Sequence, residues 1–149
     1  MIRKAFVKEI KDIYRIIQLN AESGKLLPRS YNQLYENIRD FFVYEKNNQI
    51  IGICALHISW ENLAEIKSLA VLESERQKGI GTKLLKACLK EARELGIKQV
   101  FTLTYVTDFF GKNGFKTVEK NSLPHKIWSE CVNCVQFPDC DEIAMLINL

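Results

Sequence analysis

The sequence lacks any long apolar run: no stretch of it approaches the roughly 18–20 consecutive apolar residues that a helical membrane span needs. A membrane partner is therefore not expected. Its first residues, Met1-Ile2-Arg3-Lys4-Ala5-Phe6, carry charge with no apolar stretch behind it, so no secretory signal is read and the expected location is cytoplasmic. Blocks of like charge are missing too. The net charge of +3 is mild and dispersed, which argues against nucleic acid as a partner. Internal repeats, low-complexity tracts and linkers are absent. With 149 residues, 1–149 reads as a single domain.

What is present is periodic. Ile2–Phe6 reads as a short strand, and Ile10, Ile13, Ile16 and Ile17 recur at helical spacing until the break near Gly24. Ser30-Tyr31-Asn32-Gln33 has capping-box spacing and opens a second helix with Leu34 and Ile38. Phe41–Tyr44 and Gln49–Ser59 read as a hairpin turned at Asn47-Asn48, and Leu63–Val71 as a third strand reached through Glu61-Asn62. Gly79–Leu95 is the strongest helix, striped by Leu84, Leu85, Cys88, Leu89 and Ala92 and ended by Gly96. Val100–Tyr105 reads as a strand, Phe109–Asn113 as a short helix and Phe115–Val118 as a strand. An irregular segment over 119–140 precedes a last strand, Glu142–Ile147. The order predicts an α/β (α+β) mixed sheet of about seven strands and four helices, three antiparallel strands leading into a β-α-β unit.

The chemistry concentrates where that unit turns from strand to helix. After Leu69-Ala70-Val71 a polar loop runs to a helix that starts on Gly79-Ile80-Gly81-Thr82. A helix start presents unpaired N–H groups and a partial positive charge, a ready anion site. Gly79 and Gly81 hold no side chain between a pyrophosphate and the backbone, Arg76 and Lys78 add positive charge, and Thr82 adds a hydroxyl. A tight turn alone would also want these glycines. The triphosphate-loop ending and the three-glycine dinucleotide fingerprint are both missing.

Arg76-Gln77-Lys78-Gly79-Ile80-Gly81 resembles the Arg/Gln-x-x-Gly-x-Gly/Ala signature of the GNAT superfamily of N-acetyltransferases, and Phe109-Phe110-Gly111-Lys112-Asn113-Gly114-Phe115 is similar to that family's later helix and strand start. The resemblance in element order covers almost the whole chain. It implies an acyl-CoA-dependent N-acetyltransferase with acetyl-CoA as co-substrate, no metal, and the dimerisation common in the family. It would lay the CoA diphosphate on Arg76, Gln77, Lys78, Gly79, Ile80, Gly81 and Thr82, and the pantetheine arm along Leu69, Ala70 and Val71, with Phe110 beside the cofactor. Leu63–Val71 and Val100–Tyr105 would be the strands that splay to admit the thioester.

Acetyl transfer to an amine needs a base for its proton and polarisation of the thioester carbonyl. Glu65 and Lys67 share one face of the central strand. Charges in such a strand are costly unless paired or used. Either the two form a simple ion pair on a solvated face, or Glu65 is the general base, acting through water, and Lys67 meets the substrate. Phe110 stands where many family members carry an acid tyrosine, so no acid is assigned.

Gly24–Ser30, Leu63–Val71, Leu123–Trp128 and the tail Cys131-x-x-Cys134 with Phe137-Pro138 and Cys140-Asp141-Glu142 together resemble the short amino-acid N-acetyltransferases related to N-acetylglutamate synthase. That closer resemblance implies L-glutamate as acceptor, in arginine biosynthesis. Two carboxylates beside an amine suit a bidentate Arg29, with Lys67 on the second carboxylate and Ser30 and Lys126 as further donors. Arg29 reads equally as an exposed structural arginine, and Ser30 as a helix cap. Alternatives are another small amine, a protein amine, or a non-catalytic acyl-CoA sensor. Cys131, Cys134 and Cys140 with His125 could hold zinc, form a redox pair, or pack as thiols, the last being the preferred reading. Cys54 and Cys88 read as small core residues.

Overall fold

The structure is a computed structural model that describes residues 1–24, 26–123 and 142–149. Strands β1 (Ile2–Lys4), β2 (Phe41–Lys46), β3 (Gln49–Trp60), β4 (Leu63–Val71), β5 (Gln99–Thr104), β6 (Lys116–Thr117) and β7 (Ile143–Asn148) alternate with helices α1 (Ile10–Glu22), α2 (Tyr31–Glu36), α3 (Ile80–Glu94) and α4 (Thr107–Lys112). The strands form one sheet in the order β1-β2-β3-β4-β5-β7-β6. Among the described residues only β4 and β5 run parallel; every other pair is antiparallel. This is the mixed sheet that the sequence predicts. The antiparallel part holds four strands rather than three, because Ile2, Arg3 and Lys4 pair with β2.

The two faces of the sheet are covered by different helices, and the side-chain periods explain which. Leu84, Leu85, Cys88, Leu89 and Ala92 of α3 recur on one stripe and pack on Cys54, Leu56, Ala64 and Ile66. On the other face Ile10, Ile13, Ile16 and Ile17 of α1, with Leu34 of α2, cover Phe41, Val43, Ile53, Ala55 and Ala70. A third group, Leu63, Phe101, Leu123 and Ala144, closes the β5–β7 end. Cys54 and Cys88 are fully buried, as read, and burial pushes the Cys54 thiol up, away from reactive thiolate.

Local chemistry positions the elements that matter. Ser30 Oγ accepts from the Gln33 amide at 3.1 Å and Gln33 Oε1 accepts from the Ser30 amide at 3.2 Å, the reciprocal cap expected at the start of α2. Asn47 and Asn48 both adopt positive φ (51° and 61°), the geometry that lets a two-residue turn match strand twist. Gly52 lets α3 approach β3: a Cβ there would stand 3.0 Å from Leu84 Cδ1 and 3.1 Å from Ile80 Cγ2.

Candidate active site

Midway across the sheet, β4 and β5 are paired over only part of their length, which leaves an opening in the ladder between them. Their parallel register runs only from Leu63 opposite Gln99 to Glu65 opposite Phe101. Thr102 Oγ1 donates to the Ile66 carbonyl at 3.0 Å, and past that bond the strands part. Beside the opening β4 carries a bulge: Ile53 faces Ala70 and Ala55 faces Lys67, so Ser68 and Leu69 together oppose Cys54. Ser68 takes φ 54°, a strained value for a residue with a side chain. The bulge resets the face alternation. Glu65 and Lys67 lie on the α1/α2 side, and beyond the bulge Ala70 returns to that side while Leu69 and Val71 pack toward α3.

Downstream, Glu73–Glu75 forms one 3-10 turn, Gln77 takes φ 66°, and Gly79 enters α3 at φ 78°. No side chain among the described residues caps the first turn of α3. A Cβ at Gly79 would meet nothing within 4 Å, and one at Gly81 would meet the Phe109 ring at 3.6 Å and Val71 Cγ2 at 4.0 Å, both ordinary contacts. The helix start is thus open, as an anion site requires. Arg76 also reaches back into the fold: Nε donates to the Val71 carbonyl at 3.2 Å and Nη2 to Asn20 Oδ1 at 3.1 Å. It ties the loop to β4 and α1. Lys78 stands 3.4 Å from Glu75, which Lys46 also approaches at 2.9 Å. Those two ammonium groups, Lys46 first, hold the Glu75 carboxyl below its usual range. Phe110 is a core ring, 3% exposed and edge-on to Phe109 and Phe115. The ring that reaches the glycine loop is that of Phe109.

On the α1/α2 side Glu65 is buried, at 7% exposure, with Lys67 Nζ 3.8 Å from Oε1. Arg29 Nη1 donates to Ser68 Oγ at 3.2 Å while its guanidinium stands 5.4 Å from the Phe41 ring centroid. Arg29 and Lys67 are therefore brought to the same bulge from different elements. The Ser30 hydroxyl serves as the α2 cap. Lys126, His125, Cys131, Cys134 and Cys140 lie outside the described residues. Among the described residues no three His, Cys, Asp or Glu gather as a metal site, and no helix is long and apolar enough to cross a membrane.

Sequence reasoning missed a pair in this site. His57 stands directly opposite Glu65 in the β3–β4 register, and its Nδ1 lies 2.7 Å from Asp40 Oδ2. It also missed Asn20, buried and bonded to the Ile16 carbonyl at 2.9 Å, as the anchor for Arg76.

Comparison with known proteins matches this geometry. The profile of the acetyltransferase (GNAT) family matches residues 7–115. An uncharacterized N-acetyltransferase of Chlorobaculum tepidum is 43% identical over 148 residues, 99% of this chain and 96% of that protein. The amino-acid acetyltransferase of Mycobacterium tuberculosis is 31% identical over 134 residues, 87% of this chain and 76% of that one. Among solved structures, N-acetylglutamate synthase from Neisseria gonorrhoeae, complexed with coenzyme A and N-acetyl-glutamate, superposes with a TM-score of 0.91 at 27% identity. That match covers all of this chain and 35% of the synthase.

Proposed function

The chain belongs to the GNAT family and is an acyl-CoA-dependent N-acetyltransferase with acetyl-CoA as co-substrate, and from that premise we propose that its acceptor is the α-amine of an acidic amino acid, L-glutamate first. The observation that carries this is the meeting of Arg29 and Lys67 at the β4 bulge, beside a buried Glu65. Two cations at different positions suit a ligand with two carboxylates, and a carboxylate between strand and opening suits its amine. The amino-acid acetyltransferase and N-acetylglutamate synthase among its relatives support the same reading.

Glu65 is the general base in this reading. It takes the proton of the bound ammonium, directly or through water, and the neutral amine then attacks the thioester carbonyl in a ternary complex. The open start of α3 offers the amides of Gln77 to Thr82 to the diphosphate, with Lys78 adding charge, and the β4 edge at Leu69, Ala70 and Val71 takes the pantetheine arm. Arg76 serves by shaping the loop through Val71 and Asn20. Phe110 supports the site from the core, and Phe109 lines it.

Free thiol release from acetyl-CoA, followed over the twenty amino acids and spermidine, tests the proposal. Turnover with glutamate is expected, with Arg29→Ala and Lys67→Ala raising KM for glutamate by about 10- to 100-fold and changing kcat less, as loss of uniform binding does. Turnover with another amine alone would remove glutamate and leave the acetyl-CoA site standing. Acetyl-CoA binding with no turnover on any of them would favour a protein acceptor or a sensor.

A further inference from the structure

The acceptor side carries a histidine–carboxylate pair that acetyl transfer, as described so far, leaves without a task. His57 and Glu65 are direct cross-strand partners. Their side chains therefore share a face, with Cβ atoms about 5 Å apart. On its other side the His57 ring is held at 2.7 Å by Asp40, from the turn that precedes β2. An ionised carboxylate can only accept, so Nδ1 carries the hydrogen and Nε2 is the basic atom of the ring. Among the described residues, the charged groups placed near the ring include Asp40 on one side and Glu65 with Lys67 from β4 on the other, with Arg29 beyond them on Ser68. Along this line Glu65 is the most enclosed of the three: its side chain is 9% exposed, while His57 and Asp40 are 24% and 21%.

Proton balance gives the line a purpose. Each turnover converts an ammonium and a thioester into an amide, a thiol and one net proton. A base as enclosed as Glu65 must pass that proton on before it can act again. We propose that His57, oriented by Asp40, is the proton exit for Glu65. The protonated Glu65 gives its proton to Nε2 of the neutral imidazole, directly or across one water. Asp40 stabilises the resulting imidazolium, which then releases the proton to solvent. Only O–H and N–H bonds change, and both residues return to their starting states. His57 is thus a positioning and relay residue that acts through Glu65. The inference rests on Glu65 as the base and holds whichever amine is the acceptor.

The test uses the fastest amine substrate of the wild-type chain. His57→Gln should lower kcat by about 10- to 100-fold, within the range of proton-transfer effects, leaving acetyl-CoA affinity and melting temperature near wild type. Added imidazole should restore the rate as its concentration rises. Asp40→Asn should give a smaller loss with the same rescue. If the Gln variant melts early, imidazole rescue of His57→Ala, whose cavity admits the free base, decides the matter. Wild-type kcat in His57→Gln, a loss that imidazole leaves unchanged, or a rise in acceptor KM with kcat intact would each overturn the relay. Glu65→Gln separates the two levels. Full turnover in that variant removes the base assignment itself, whereas a dead Glu65→Gln beside an untouched His57→Gln removes only the relay.

Discussion

Replacing Glu65 with Gln takes away one charge and almost no volume, so its effects on folding and on rate can be separated. Lys67 Nζ lies 3.8 Å from Glu65 Oε1 and its side chain is 26% exposed. In the variant it can keep an oxygen neighbour and reach water. The folding cost is then about 1–2 kcal/mol, below the 3–5 kcal/mol of a pair broken in a closed interior. For a chain of this size that lowers Tm by about 3–6 °C. The rate should fall much further. A positioned base contributes about 10²–10⁴-fold, roughly 2.7–5.5 kcal/mol of barrier, and a carboxamide cannot take the amine's proton. Thiol release at saturating acetyl-CoA and acceptor amine measures kcat, calorimetric titration measures acetyl-CoA affinity, and a melt measures stability. The expected result is kcat reduced at least about 100-fold with acetyl-CoA affinity unchanged. The defect should narrow as pH rises toward the amine's own pKa, where the acceptor arrives already neutral. A variant within about threefold of wild-type kcat, well under any base contribution, would refute the assignment. So would a defect that stays constant with pH.

The remaining predictions concern the scaffold. Gly79 enters α3 at φ 78°, so Gly79→Ala should cost about 1–2 kcal/mol in urea unfolding and weaken acetyl-CoA binding. Gln77→Gly, at φ 66°, should instead gain about 0.5–1 kcal/mol, and a loss would mean that the Gln77 side chain makes a contact of its own. Arg3 grips Glu9 through bonds of 2.9 and 2.6 Å, and the Glu9 carboxyl is held below its ordinary value of 4.5 chiefly by that bond. A lowered carboxyl pKa stabilises the fold fully above the unfolded value and loses that contribution as pH falls through the folded one. Arg3→Ala should therefore cost about 2–3 kcal/mol at pH 7, with the gap to wild type closing in unfolding curves below about pH 4.

Most of the framework was legible because it rests on local signals. The isoleucines of α1, the stripe of α3, the cap at Ser30 and the turn at Asn47-Asn48 each state their element in a few residues. The glycines of the helix start were legible for the same reason. Glu65 and Lys67 stood out as charges in an apolar strand. What escaped depends on register. A two-residue turn at Glu61-Asn62 sets Trp60 against Leu63 and, carried on regularly, would place His57 against Ile66 on the wrong face. The irregularity between Ile58 and Trp60 slips the ladder by one, which brings His57 opposite Glu65. Nothing in Ser59 announces that slip. The fold contacts of Arg76 were hidden for a related reason: its guanidinium bonds Asn20, far away in the chain, and no local signal announces that partner. Phe110 and Phe109 are neighbours in sequence, and only packing decides which ring is core and which faces the loop.

The sheet order has a temporal consequence. β7, made of Ile143–Asn148, lies between β5 and β6, and pairs with β5 along Gln99–Thr104. The far wall of the opening therefore gains its second neighbour only when Ile143–Asn148 are available. On a ribosome β1 to β4 can assemble as consecutive antiparallel neighbours while β5 still waits with one edge bare. The β5–β7 half of the sheet is, in this sense, completed after the rest: competence for catalysis waits for β7 rather than arriving with the motif that advertises it.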